Sequence, residues 1–442
     1  MSLVRSGQQL REGMPVAGGA WPLLGHMPDV FRRLTSFHVE ARDTYGPLYW
    51  VDVGFRNLQL MYSSPEALSL FKTKAADSSY MRSTAGDLLG DSLIVMDGAP
   101  HTKVRSTLNP SFSTKGLMTA NVGDIVDRVL ARHVTPWAES RTLSIVPATR
   151  EIALDIIFQM LGIPATDLTQ WRKAYEEFLF TAVNIPIDLP GFPKWRGRKA
   201  SRWLQAQLGT LVRAARAKET PTGMLERLAH ARDEEGNLVE EGKLIDNLRL
   251  LALAGHETTA STMAWMAIHL AQEPKWWDAV VEEVTRVGAP PKSPADLRNF
   301  PVTESIFREA LRLHPPVAAD ARVVVGDLDL EGHRIPKGTI VGIPIVAMLR
   351  DADAFPDPHT FRPERWHGKD RQTPLETVAF GSGPHFCLGY HVAWMEAVAF
   401  GAHLAATLSK AGKRLRAPAK VPERYVPFIQ PSPKIVLEIV PA

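Results

Sequence analysis

Phe380-Gly381-Ser382-Gly383-Pro384-His385-Phe386-Cys387-Leu388-Gly389 is the stretch from which the fold can be read. It holds the only cysteine among 442 residues, in a glycine-rich loop that runs into an apolar segment of helical periodicity, Tyr390 to Leu408. One cysteine makes no intrachain disulfide and no thiolate zinc site unaided. Taken alone it would read as a small buried apolar side chain. The glycines argue otherwise, because Gly381, Gly383 and Gly389 permit positive φ or a close backbone approach to a bulky flat group. Cys387 also stands at the N-terminal end of the predicted helix. Unpaired N–H groups and the positive dipole end there favour a thiolate over a thiol.

The decamer is similar, residue for residue, to the haem-binding signature Phe-x-x-Gly-x-x-x-Cys-x-Gly of the cytochrome P450 family. The resemblance implies haem ligated by the Cys387 thiolate, with Phe380 and Gly389 beside it. No Cys-x-x-Cys-His attachment sequence is present, so the haem expected is haem b.

Further motifs follow in the family's order. His101 and Arg105 lie four apart, on one helical face. By themselves they read as a solvated basic face; the resemblance implies anchors for the haem propionates through charge-assisted hydrogen bonds. Leu244 to Gln272 is apolar nearly all round, hence a buried helix. In its middle stands Ala254-Gly255-His256-Glu257-Thr258-Thr259. A zinc protease would need a second histidine at position 260, where the chain has Ala260. An acid and two hydroxyls inside a core helix are costly without partners. The Thr258 hydroxyl can return to the Ala254 carbonyl and loosen the helix, with Gly255 easing the same distortion. A buried threonine satisfied by its own helix is an equal reading of the hexamer alone. The resemblance to the family's distal-helix motif implies that Glu257 and Thr258 relay protons to dioxygen, and that Ala254 lies against haem and substrate.

Glu309 and Arg312 are three apart on another predicted helix, a pairing common on surfaces and worth little there. With Pro363-Glu364-Arg365-Trp366 downstream they resemble the family's Glu-x-x-Arg and Pro-Glu-Arg-Phe motifs. Glu309, Arg312 and Arg365 are then expected to form a buried structural network, and Trp366 replaces the usual phenylalanine. By the same resemblance Val317 and Ala318 line the substrate side, while Arg322 and His385 are further propionate contacts.

Hydrophobic content of 45% and charged content of 22% are those of an ordinary globular protein. A net charge of +3 and a pI near 8.9 are far from a nucleic-acid signature. Met1 to Gly18 has no long apolar run, and the apolar stretches further on are broken by charge, so no signal peptide or membrane anchor is expected. The expectation is a cytoplasmic monomer, and one cysteine fits a reducing compartment.

Along the chain, Pro28 to Tyr45 reads as helix, and Leu48 to Val53 and Leu58 to Tyr62 as a hairpin turning at Gly54 to Asn57. Ser64-Pro65-Glu66 opens a helix to about Lys72. Ser78 to Val95 reads as loop. Asn121 to Arg232 is mostly amphipathic helix, interrupted at Thr181 to Trp195 by Pro186, Pro190, Gly191 and Pro193. That interruption resembles the family's substrate lid, and its apolar residues Ile185, Ile187, Leu189 and Phe192 suit a greasy ligand. Val323 to Val325, Leu328 to Leu330, Ile340 to Pro344 and Ile435 to Val440 read as strands, and Val426-Pro427-Phe428-Ile429 is expected to dip into the site.

The expectation is a single domain over residues 1–442, mainly α with a β-rich region near 45–65 and 317–345. Its implied activity is monooxygenation of an apolar small molecule (terpenoid, steroid, fatty acid or polyketide), using O2. Candidate substrate contacts are Leu88, Leu89, Phe178, Ala254, Val317, Ala318 and Phe428. No flavin or nicotinamide fingerprint occurs, so electrons are expected from a ferredoxin and its reductase. The Pro-rich lid resembles that of members acting on sterols and retinoids. The alternatives are a haem-thiolate isomerase, dehydratase or peroxide-driven enzyme, and a non-enzymatic haem sensor. The intact Glu257-Thr258 pair argues against all of them.

Overall fold

The computed structural model describes residues 10–163, 168–179, 189–367, 374–425 and 428–442. Its helices are α1 (Met27–Tyr45), α2 (Ser79–Leu89), α3 (Gly98–Phe112), α4 (Thr114–Thr119), α5 (Val122–Val134), α6 (Ile145–Met160) and α7 (Leu168–Leu179). They continue as α8 (Pro193–Arg216), α9 (Met224–Ala229), α10 (Glu241–Gln272), α11 (Pro274–Val287), α12 (Pro301–Leu313), α13 (Ile345–Met348) and α14 (Tyr390–Lys410). The strands are β1 (Leu10–Arg11), β2 (Met14–Pro15), β3 (Leu48–Asp52), β4 (Leu58–Tyr62), β5 (Ala76–Asp77), β6 (Thr142–Ser144) and β7 (Asp320–Val324). Then come β8 (Leu328–Leu330), β9 (His333–Ile335), β10 (Ile340–Ile343), β11 (Lys413–Arg416), β12 (Glu423–Tyr425), β13 (Ile429–Pro431) and β14 (Val436–Pro441). The architecture is mainly helical with smaller sheets, as expected.

Two distant stretches build one mixed sheet of order β3-β4-β10-β7-β5. β3 and β4 form the expected hairpin, with Trp50 opposite Leu60, and β10 joins β4 in parallel, with Val341 beside Leu60. The hairpin turn is unusual in its chemistry. Its central residues Phe55 and Arg56 both have positive φ, 53° and 58°, where Asn-Gly is the ordinary choice. Apolar side chains of this sheet make one core cluster, and the helices make a larger one around α5, α6, α10 and α14.

α10 is buried on every side from Thr259 to Leu270, as its apolar pattern requires there, and keeps some accessibility nearer its start. Its close fit against α6 depends on Gly255. A Cβ there would come within 2.7 Å of Ile157 Cδ1. α14 is the helix that, among the described residues, has the length and hydropathy to cross a membrane, but 72% of that window is buried inside the protein.

Several expectations are corrected. Ser78 to Val95 is not loop: α2 and a short 3₁₀ turn, Leu93–Val95, occupy it. Only a weak amphipathic pattern and no N-cap side-chain bond mark α2 in the sequence. The Ser64-Pro65 signal opens a 3₁₀ helix, Pro65–Phe71, with Ser64 Oγ accepting from Glu66 N as expected of a cap. The strand near 323 begins earlier, at Asp320. Ile185, Ile187, Val426 and Pro427 fall outside the described residues.

Candidate functional site

The cysteine loop is held by local geometry. Gly381 and Gly383 have φ of 77° and 61°, and a Cβ on Gly383 would meet Phe71 O at 2.6 Å. Gly389 has an ordinary φ of −83°, so of the two expected uses of these glycines only a close backbone approach applies to it. Cys387 N donates to Phe380 O at 2.8 Å, which closes the loop, and Phe380 packs edge-on against Tyr390 at 4.8 Å. α14 begins three residues after the cysteine. Burial pushes the Cys387 thiol up, opposed by the Gly389 N–H and by Arg105. The expected stabilisation of a thiolate at the helix end is therefore outweighed in the polypeptide itself. A cation at the sulfur would reverse that balance.

Beside the loop, basic side chains of α3 and of the loop itself come together. The rings of His101 and His385 lie 4.3 Å apart. His385 Nε2 is 3.1 Å from Asp97 Oδ1, and Asp97 Oδ2 accepts Ser78 N, so the acid orients the histidine. Asp97 was not among the expected site residues; its place just before α3 resembles a helix cap, but its side chain caps nothing. His101 is 2% exposed, and its Nε2 has no hydrogen-bond partner among the described residues. Burial, with His385 and Arg105 nearby, pushes His101 down to about 4. Arg105 is within electrostatic reach of Cys387 and donates through Nε to Asn109. Arg322 is buried, paired with Asp320 at 2.7 Å and stacked over Phe71 at 4.6 Å. An orphaned buried imidazole nitrogen beside Arg105 is a partner that a carboxylate could satisfy.

On α10 the buried surface is interrupted along one stripe: Leu251, Ala254, Gly255 and Thr258 retain accessibility, at helical spacing. Thr258 Oγ1 donates to Ala254 O at 2.6 Å, as expected, yet α10 is unbroken there. Gly255 serves the α6 contact rather than a local distortion. Glu257 points elsewhere. Its Oε2 accepts Arg150 Nη2 at 3.0 Å, its Oε1 lies 3.2 Å from His256 Nε2, and the same Arg150 nitrogen also donates to Gln430 Oε1 at 2.8 Å. Burial raises the Glu257 pKa, but His256 and Arg150 outweigh it and hold the carboxyl below its ordinary range. Arg150 and Gln430 carry no local signal in the sequence.

The expected structural network is present and larger than expected. Glu309 accepts from Arg312 Nε and Nη2, Arg365 Nε, the Arg362 backbone N–H, and Trp366 Nε1 at 2.9 Å. Arg312 Nη1 also reaches the carbonyls of Leu349 and Pro358. The tryptophan is thus a donor that phenylalanine could not be.

The expected substrate residues are dispersed in character. Ala318 is buried with Leu34, Val346 and Ile429, and Val317 is exposed. Phe178 is buried against Tyr175 and Arg249. Leu89 is buried, Phe428 is half-buried, and the Leu88 side chain lies outside the described residues. Leu189 and Phe192, at the end of the expected lid, are exposed.

Comparison with known proteins places the chain among named relatives. A family model described as Cytochrome P450 matches residues 15–436. A relative named Cytochrome P450 BJ-4 homolog, from Sinorhizobium fredii, is 39% identical over 427 residues, 96% of each chain. Cyclooctat-9-en-7-ol 5-monooxygenase of Streptomyces melanosporofaciens is 29% identical over 392 residues, 84% of each chain. Among solved structures, a retinoic-acid-bound cyanobacterial CYP120A1 superposes with a TM-score of 0.84 at 23% identity, covering 96% of this chain and 98% of the other.

Proposed function

We propose that this chain, which belongs to the cytochrome P450 family, hydroxylates or epoxidises an apolar small molecule of terpenoid-like character. Membership makes it a haem-thiolate monooxygenase that uses O2, a small-molecule substrate and electrons from redox partners. The observation that carries the finer reading is the set formed by Cys387, the orphaned His101 nitrogen and the accessible Thr258 stripe. A terpenoid preference is supported by the relative named for cyclooctat-9-en-7-ol oxidation, and by apolar residues at Leu89, Phe178, Val317, Ala318 and Phe428. Leu88 belongs to the same reading.

The residues fit haem b. Cys387 would ligate its iron, with Phe380, Gly389 and Ala254 against the ring. His101, Arg105, Arg322 and His385 would receive its propionates. Haem bound through a thiolate supplies the oxidising chemistry. The chain's own residues hold the substrate, exclude water and move protons. Thr258 Oγ1 presents a hydroxyl on the accessible stripe of α10. Glu257 cannot serve it while clamped by Arg150 and His256. Arg150 is partly exposed, so release of this clamp would let a solvent proton reach Glu257 and then Thr258. Glu309, Arg312 and Arg365 act as scaffold.

We further read the chain as one domain, cytoplasmic and monomeric, with a ferredoxin-type donor. The test is the difference spectrum of the reduced protein with and without carbon monoxide, for the natural chain and Cys387→Ser. A strongly red-shifted Soret band, lost in the variant, supports thiolate ligation and permits a screen of terpenoids for spin-state change. A haem-loaded, folded protein without that band overturns it.

A further inference from the structure

The two most exposed large hydrophobic side chains among the described residues are Phe55 at 81% and Leu23 at 73%. They are neighbours: Phe55 N donates to Leu23 O at 2.6 Å. Both have positive φ, 53° and 60°, in the left-handed region that asparagine or glycine would occupy without strain. The loops carrying them are locked together. A Cβ on Gly25 would strike Asp52 O at 2.4 Å and Gly54 N at 2.7 Å, and His26 N donates to Asp52 O. Trp21, Leu24 and Phe31 are each about half exposed in the same loop and the opening of α1. A fold seeking only stability would place polar, turn-forming residues at such tips. Here backbone strain and exposed apolar area coincide.

Two exposed cations lie among these tips. Arg56 in the turn and Arg32 on α1 are exposed and have no ion pair among the described residues. Of the nearby acids, Asp29 is paired with Arg33, while the partly buried Asp52 accepts Gly54 N through Oδ1 and keeps its charge. The patch is therefore a set of convex apolar tips, one a tryptophan, flanked by free guanidinium groups.

We propose that this face is a peripheral docking site for an anionic phospholipid bilayer, into which Leu23, Phe55 and Trp21 dip while Arg32 and Arg56 meet the headgroups. Protruding tips need no complementary pocket in a fluid bilayer, whereas a protein partner would need one. Tryptophan favours the interfacial zone, and basic side chains gain from the negative surface potential. The site is a surface contact and does not span the membrane.

The test is co-sedimentation of the haem-loaded protein with extruded phosphatidylcholine vesicles, with and without phosphatidylglycerol. The natural chain is expected to bind the anionic vesicles, and less so at high salt. Leu23→Asn with Phe55→Asn should lower binding by about tenfold or more, since two apolar side chains leave the bilayer. Asparagine suits the left-handed backbone, so this variant should keep its circular dichroism. Phe31→Ser, on ordinary helical backbone, should act in the same direction. Arg32→Gln with Arg56→Gln should abolish the preference for anionic over neutral vesicles. Absence of binding by the natural chain, or equal binding by Leu23→Asn/Phe55→Asn, overturns the proposal. So does a dimer in sedimentation velocity that this double variant dissociates, because the face would then meet a second copy.

Discussion

Arg150 Nη2 donates to Glu257 Oε2 at 3.0 Å while also donating to Gln430, so one guanidinium joins α6, α10 and β13. A buried acid in the middle of a core helix thereby acquires a charge partner that reaches solvent. Truncating one member leaves the other uncompensated, which is where such pairs are most sensitive.

Arg150→Met removes one of the two influences that hold the Glu257 carboxyl low, so its pKa should rise. If Glu257 passes protons as an ionised base, the acid limb of the kcat profile should move to higher pH in Arg150→Met. Glu257→Gln should lose that limb and cost roughly 10²-fold or more in kcat. Steady-state kinetics across pH 5–9 checks both, and a profile unmoved by Arg150→Met would leave the arginine a purely structural clamp.

Trp366→Phe removes the indole donor to Glu309 and leaves the ring's packing largely intact. A hydrogen bond to a buried carboxylate is worth about 1.5–3 kcal/mol, so a lower denaturation midpoint with an unchanged carbon-monoxide spectrum is expected. Glu309→Ala should cost more, about 3–5 kcal/mol, because Arg312 would be stranded.

Gly255→Ala drives a methyl to 2.7 Å from Ile157 Cδ1. Overpacking of this kind costs about 1–3 kcal/mol. Ile157→Val deletes the offending carbon, so the double variant should be more stable than additivity predicts. A double-mutant cycle by chemical denaturation measures this, and simple additivity would mean that α6 shifts to relieve the clash.

Glu396 on α14 is 1% exposed, its Oε2 lacks a partner among the described residues, and burial pushes it up to about 8. In the unfolded chain it ionises near the ordinary value of roughly 4.3. The folded state therefore binds the extra proton between those values, and stability falls as pH rises from about 5 towards 8. Glu396→Gln should raise the melting temperature at pH 8 and change it little at pH 5. Parallel melting curves at the two pH values would reveal otherwise.

The sequence alone determined what is local in the chain. The Cys387 loop and its helix, the Thr258-to-Ala254 bond and the Glu309–Arg312 pair each follow from glycine conformation or from the three- and four-residue spacing of a helix. The all-round apolar pattern marked α10 as buried before any partner was known. The tertiary structure alone decided the rest. Arg150 is 107 residues from Glu257 and 280 from Gln430, and Asp97 is 288 from His385. No periodicity links such positions; only the packing of α6 on α10, and of the cysteine loop beside α3, brings them within hydrogen-bond range. Gly255 likewise read as a flexible point and proved to be a contact, because the helix retains its geometry while Ile157 fills the missing side chain's space. Leu23 and Phe55 could be seen as apolar, but their exposure and the hydrogen bond between their strained backbones emerge only when two loops meet.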